Sequence, residues 1–409
     1  MVKTATLDNG IRIITKKLDG VKSLSMGIFV GVGSAAETER ENGLAHFIEH
    51  VNFKGTQKRS AFDISRDSEA LGIILNAATT KRYTSYYVKT ISEHTEKAME
   101  ILADLFIDSV YPEDELEKEK GVVTEEIKMY ADTPDDVCFT GLAEAIFGRR
   151  SGYGKKVLGN EKNVARFTRK DILSFKNKFY TTDKIVLSFA GALDHERIVE
   201  LCERYFGRIE RSTQAKMPER NTVNLCRRLS VRKEIEQEHL SLGFTAPKLN
   251  GKYYDEYQIA VYVLGSGMSS RLFQKIREEM GLCYTVDADI LSYSDCGIWS
   301  VYAGVKSGCV NKTINAIIGE INKVKSKGIT EEEFSCEKEQ IKSSIAFSEE
   351  STITLMNAYG KKMLYENAVY DPNEKLSRLN ALSYKDVNDV IFNIMDVENF
   401  AVCKVLQKR

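Results

Sequence analysis

The chain has 409 residues, enough for two or three domains, and its 43% hydrophobic and 29% charged content is that of an ordinary globular protein. Lysine plus arginine (58) balances aspartate plus glutamate (59), so no net field favours nucleic acid or an anionic membrane surface. No apolar run approaches the roughly eighteen residues that span a bilayer, and the eight cysteines are scattered without a C-x-x-C pair, which points to a reducing compartment and makes cytoplasm the simplest expectation.

The first residues, Met1 to Leu7, lack the apolar stretch of a signal peptide. Strands are expected at Ile11 to Thr15, after an Asn9-Gly10 turn, and at Leu24 to Val30. The next segment holds His46-Phe47-Ile48-Glu49-His50, two of the chain's five histidines. A helix from about Asn42 to Lys54, capped by Asn42 and ended by Gly55, puts His46, Glu49 and His50 on one face. Two imidazoles one turn apart can grip a metal ion, and the carboxylate beside them can act as general base toward the metal's water. A helix capped by Ser60 then leads to a strand through Gly72 to Ala77.

A strand at Tyr83 to Thr90 precedes an amphipathic helix near Glu93 to Val110, and Pro112 with its acidic neighbours opens another helix. On that helix Glu119, Glu125 and Glu126 are candidates for a third metal ligand, with Glu119 and Glu126 two turns apart on one face. A strand follows at Ile185 to Gly191, then a polar, basic stretch from Arg208 to Arg228 that reads as a linker over 211–228. Beyond it come a strand at Leu240 to Phe244 and an amphipathic helix at Ser269 to Arg277, with Tyr284 seven residues further on.

The order of strand, helix, turn and helix then repeats: Trp299 to Val305, Val310 to Lys327, and a helix opening at Thr330. This segment aligns without gaps to the first at an offset of 218 residues, so the chain reads as a tandem duplication. The expectation is an α+β protein of two homologous domains, 1–210 and 229–409, each a mostly antiparallel sheet with helices packed on one face. The alignment puts Ser344 opposite Glu126, and the second half has only His239, so one half is competent for metal and the other degenerate.

The chain resembles the pitrilysin-type metallopeptidases, whose signature is the H-x-x-E-H of the inverzincins. Leu7-Asp8-Asn9-Gly10, Gly43-Leu44-Ala45-His46, Phe53-Lys54-Gly55-Thr56, Leu75-Asn76-Ala77, Glu125-Glu126-Ile127, Phe179-Tyr180 and Ala190-Gly191 stand in family order. The similarity is to the short, two-domain branch that includes the β-subunit of mitochondrial processing peptidase and bacterial relatives. It implies one Zn²⁺ per chain held by His46, His50 and Glu126, with Glu119 supporting the site and Glu49 as the base. It also implies that Leu75, Asn76 and Ala77 bind peptide on a sheet edge, and that Arg277 and Tyr284 hold the substrate carbonyl. Short members pair, so the resemblance implies a dimer whose chamber joins the zinc domain of one chain to the Arg/Tyr domain of the other. A homodimer is the expectation, and heterodimers with a paralogue occur in the family.

The expected activity is zinc-dependent endopeptidase action on short or unfolded peptides, without nucleic acid or membrane as partner. The rivals are a non-catalytic core or partner subunit and a zinc-containing peptide carrier. Two departures from the family pattern stand beside the groove: Ala78 replaces an aromatic residue, and Arg82, after Lys81, replaces an acidic one. They imply either a taste for acidic peptides or a displaced loop. His94, His195 and His239 have no ligand spacing and are expected to be structural or solvated.

Overall fold

The computed structural model describes residues 1–213, 223, 225 and 227–408, so the linker expected over 211–228 lies largely outside the described residues. The first sheet is built from β1 (Val2–Thr6), β2 (Arg12–Lys17), β3 (Ser23–Val30), β4 (Ile74–Thr79), β5 (Thr84–Ile91) and β6 (Ile185–Gly191), in the order β1-β2-β6-β3-β5-β4. The second contains β7 (Arg228–Lys233), β8 (Gln237–Ala246), β9 (Cys283–Ser292), β10 (Gly297–Lys306) and β11 (Ala401–Gln407), in the order β7-β11-β8-β10-β9. Each sheet has a single parallel pair, β2 with β6 and β11 with β7, and its other pairs are antiparallel. Leaving out β1, the two orders match strand for strand, parallel pair included. The duplication is therefore written in topology as well as in the 218-residue offset.

In the first sheet, β3 is buried along nearly its whole length and β6 along all of it. Continuous burial needs cover on both faces. One face carries Ile13, Met26, Ile28 and Val88 against the helices Thr95–Ile107, Arg169–Phe179 and His195–Phe206. The other face presents Ile14, Phe29, Val186 and Ala190 to Leu355, Met356, Tyr359 and Met363 of the helix Thr352–Glu366. That helix comes from the second half of the sequence.

The exchange is reciprocal. The helix Pro134–Phe147, from the first half, packs on β8 and β11. Its Cys138 Sγ lies 3.2 Å from Ser241 Oγ on β8. The compact units are accordingly discontinuous, 1–127 with 156–218 and 346–370 in one and 128–155 with 219–345 and 371–409 in the other. Contiguous ranges of 1–210 and 229–409 do not describe them.

Glycine makes both helix seats. A Cβ on Gly27 of β3 would fall 2.9 Å from Met356 Sδ, and one on Gly243 of β8 would fall 2.6 Å from Ile146 Cδ1. At both glycines a side chain of the helix occupies the space that a Cβ would take. No helix among the described residues is long and apolar enough to cross a membrane.

Candidate metal centre

The motif helix runs Leu44–Val51 and tightens into a 3-10 turn at Asn52–Lys54 before Gly55, which sits at φ +128°. Asn42 does not cap it. Gly43 occupies the cap position at φ +101°, and the buried carboxylate of Glu37 accepts from Gly43 N (2.9 Å) and Ala45 N (2.7 Å). Glu37 also accepts from Asn42 Nδ2 at 3.0 Å. A carboxylate on the free N–H groups of a helix start satisfies both their hydrogen bonding and the helix dipole. Glu37 lies outside the spacing that local capping rules inspect, which is why the sequence did not reveal it.

The metal candidates converge as expected. His46 Nε2 and His50 Nε2 lie 3.6 Å and 3.3 Å from the same atom, Glu126 Oε2. Among the described residues His46, His50 and Glu126 form one group whose ligand atoms all lie within 4.8 Å of one another. Glu126 comes from the long helix Glu113–Asp132, on which Glu125 points to solvent. Glu126 Oε2 and His46 Nδ1 are buried without a hydrogen-bond partner. A buried acceptor aimed at two imidazole nitrogens and left unsatisfied is costly unless something else fills the gap. Two nitrogens and one carboxylate oxygen fit a divalent cation of the zinc type.

Glu119, two turns before Glu126, is nearly buried and accepts from His50 Nδ1 at 2.8 Å, while Lys54 Nζ sits 2.7 Å from its other oxygen. Burial pushes the Glu119 carboxyl up, but the hydrogen bonds from His50 and Lys54 outweigh it and hold it below the usual range. Burial likewise opposes charge on His50, yet its hydrogen bond to Glu119 and the nearby carboxylates of Glu126 and Glu119 raise it to about 9. Burial and the neighbouring His50 charge push His46 down to about 4. With His50 Nδ1 held by Glu119, its Nε2 is turned toward Glu126, the arrangement that fixes an imidazole as a ligand.

Glu49 lies on the same turn, and burial raises its carboxyl, opposed by a hydrogen bond that Thr79 Oγ1 donates to its Oε2. Thr79 was not singled out in the sequence. The signal was available, since period-two alternation puts it on the same face of β4 as Leu75 and Ala77, both of which pack against the core.

Strand β4 is an edge strand paired only with β5, with Leu75, Asn76 and Ala77 opposite Val88, Tyr87 and Tyr86. The loop after it is tied to the Gly33–Ala36 segment: Ser34 N donates to Thr80 O (3.0 Å) and Ala35 N to Lys81 O (2.8 Å). The Arg82 guanidinium lies over the Tyr365 ring, 5.0 Å from its centroid, and Ala78 faces solvent.

Arg277 and Tyr284 form a pair in the second unit, the guanidinium 4.8 Å from the Tyr284 ring centroid and 4.5 Å from that of Phe273. The segment Phe273–Glu279, expected to be an ordinary amphipathic helix, is π-helical. Such widened turns gather at functional sites because they swing a side chain off the regular helical face. The pair lines an open cavity of about 480 Å³ with Glu236, Lys306 and Cys283. Two of the remaining histidines are tied structurally, His195 Nδ1 to Thr15 Oγ1 (2.8 Å) and His239 Nδ1 to Tyr302 OH (2.7 Å).

Comparison with known proteins bears on this centre. The family model described as insulinase (peptidase family M16) matches residues 12–160, and that of the peptidase M16 inactive domain matches residues 166–341. The chain is 37% identical over 408 residues to the uncharacterized zinc protease YmxG of Bacillus subtilis, covering 99% of this chain and 98% of the relative. It is 33% identical over 404 residues to an uncharacterized zinc protease of Streptomyces coelicolor, covering 96% and 87%. A protease from Helicobacter pylori shares the fold, with a TM-score of 0.90 at 20% identity and 99% of each chain covered. The histidine-bearing half thus matches the first of the two models and the half without the ligands matches the one described as inactive, and the chain belongs to peptidase family M16.

Proposed function

We propose that the protein is a zinc-dependent endopeptidase that hydrolyses short or unfolded peptides inside a closed chamber formed by a dimer, acting in the cytoplasm. The observation that carries this reading is the convergence of His46 Nε2 and His50 Nε2 on the unsatisfied, buried Glu126 Oε2, with Glu49 on the same helical turn. Zinc held there, one ion per chain, supplies Lewis-acid polarisation of a carbonyl and acidifies water at its open position.

The chain's own groups do the rest. Glu49 takes a proton from the attacking water and hands it to the leaving amine, a role that suits a carboxyl raised toward neutrality by burial. Glu119, backed by Lys54, keeps His50 in orientation. The free edge of β4 takes the peptide as an added strand, with Leu75, Asn76 and Ala77 as its contacts. Arg277 and Tyr284 of the partner chain steady the substrate carbonyl and the charge that develops on it.

The intact set of His46, Glu49, His50 and Glu126 favours an enzyme over a non-catalytic core subunit, which needs none of the four, and Glu49 beside the ligands favours it over a zinc-containing peptide carrier, which needs no base. Zinc content and cleavage of a quenched peptide library, with and without chelator, separate the three. We expect Glu49→Gln to keep zinc and to lower kcat by roughly 10²–10⁴-fold; a fully active variant removes Glu49 from the mechanism. Mixing inactive Glu49→Gln with inactive Arg277→Ala tests the shared chamber. Recovered activity supports it, and no recovery despite subunit exchange contradicts it.

A further inference from the structure

We propose that Thr79 is the positioning residue for Glu49, so that the strand that receives the peptide also sets the direction of the base. The inference rests on the reading of Glu49 as general base and concerns how its carboxylate is held. Glu49 has three rotatable bonds, and fixing such a side chain costs rotamer freedom that a hydrogen-bond partner offsets. Proton transfer demands a fixed geometry, since small misplacements of reacting groups are expensive in rate. The motif helix places the Glu49 backbone, and Thr79 Oγ1, donating to Oε2 with a smaller backbone contribution from the same residue, sets the direction of the carboxylate.

Thr79 is suited to this by its surroundings. It is the last residue of β4 and pairs with Thr84 of β5, whose hydroxyl donates to Val32 O at 3.0 Å. The turn immediately after it is closed by Thr80 N donating to Tyr83 O at 2.9 Å and is tied to the Gly33–Ala36 segment through Thr80 O and Lys81 O. A Cβ on Gly33 would fall 2.2 Å from Thr80 O, so the two segments lie in backbone contact. A β-branched side chain on a strand pinned at its end has little χ1 freedom, so its hydroxyl is aimed by the backbone. A hydrogen bond to a carboxylate is roughly twice as strong as a neutral one. The residues assigned to the peptide, Leu75 to Ala77, sit two to four positions earlier on the same strand. Base and substrate are therefore referenced to one rigid element.

The test uses zinc-loaded Thr79→Val, which keeps the shape and removes the donor, and Thr79→Ser, which keeps the donor. For Thr79→Val we expect kcat to fall by roughly 10–100-fold, within the range ascribed to general-base placement. KM and the zinc dissociation constant by chelator competition should stay within about twofold, and Thr79→Ser should recover most of kcat, as expected of a retained charge-assisted hydrogen bond. A second measurement is independent of catalysis: a melting cycle of wild type, Thr79→Val, Glu49→Gln and the double variant. Thr79→Val should lower Tm by roughly 2–4 °C in the wild type and by clearly less in the Glu49→Gln background. An unchanged kcat with an additive cycle overturns the proposal, as does a raised KM with kcat intact. A fully active Glu49→Gln overturns the general-base reading instead, while the melting cycle still decides whether Thr79 holds Glu49.

Discussion

Glu119 and Glu337 stand at equivalent positions of the duplicated long helices, 218 residues apart, and both are almost fully buried, 3% and 5% exposed. In the first half the carboxylate has His50 and Lys54 at 2.8 Å and 2.7 Å, and they hold its proton affinity below the ordinary range. In the second, burial alone acts on Glu337 and pushes its carboxyl up to about 7. One buried acid is therefore held as an anion by a histidine and a lysine, and its twin is a group that binds a proton near neutrality. The difference lies in the facing elements. The helix that follows β8, Tyr254–Gly265, has no histidine where the motif helix has two, and Ser344 stands where Glu126 would be. The second half has the same scaffold and buried carboxylate without the two histidines and the second carboxylate.

The comparison can be broken most severely at Glu126. Glu126→Gln should weaken zinc binding by at least about 100-fold, a ligand being worth no less than the partners that orient it, whereas Ser344→Ala should leave it unchanged; chelator-competition titration reads both. Glu119→Gln should cost roughly 10–100-fold in zinc affinity by the same assay, and Glu337→Gln nothing.

The pH dependence of zinc binding sharpens the contrast. A zinc ligand must be a neutral imidazole, and His50 holds its proton up to about 9 in the metal-free site. Zinc affinity should therefore rise by roughly tenfold per pH unit between 7 and 9 and then level off. Isothermal titration in buffers of different ionisation enthalpy should show about one proton released per zinc near pH 7.

Glu337 predicts a stability effect of definite sign. Its carboxyl binds a proton more tightly folded than unfolded, so the stability it contributes is complete below about 4.5 and is lost as pH rises through about 7. Glu337→Gln should thus gain on the order of 2 kcal/mol at pH 8 and nothing at pH 4, measured by denaturant melts at the two values. Last, Gly243→Val, which drives a side chain into Ile146 of the exchanged helix, should destabilise by roughly 1–3 kcal/mol.

What could be read from the sequence was what is local. The motif helix, the Ser60 capping box, the edge strand and the long acidic helix follow from period, caps and turn residues within one stretch of chain. Glu126 was reachable as one of several candidates, because a seven-residue spacing puts it on the same face as Glu119, and only the family resemblance singled it out as the ligand. The exchanged helices were not reachable, because an amphipathic pattern states that a face is apolar and not which sheet will cover it; glycines such as Gly27 and Gly243 are a local trace of their seats. Glu37 escaped for a related reason: it acts on the motif helix from outside it, through side-chain bonds that no spacing rule inspects; for Thr79 the period of β4 gave the face, but not the bond to Glu49. The π-helical turn at Arg277 is likewise indistinguishable from an α-helix in residue pattern.

The most direct test of the central claim is metal analysis coupled to X-ray absorption at the zinc edge on purified wild type and Glu126→Gln. We expect one zinc per chain, bound by two imidazole nitrogens and carboxylate oxygen, with stoichiometric binding lost in the variant. Metal-replete wild type that retains no stoichiometric ion, or a zinc spectrum indifferent to Glu126, would contradict the account.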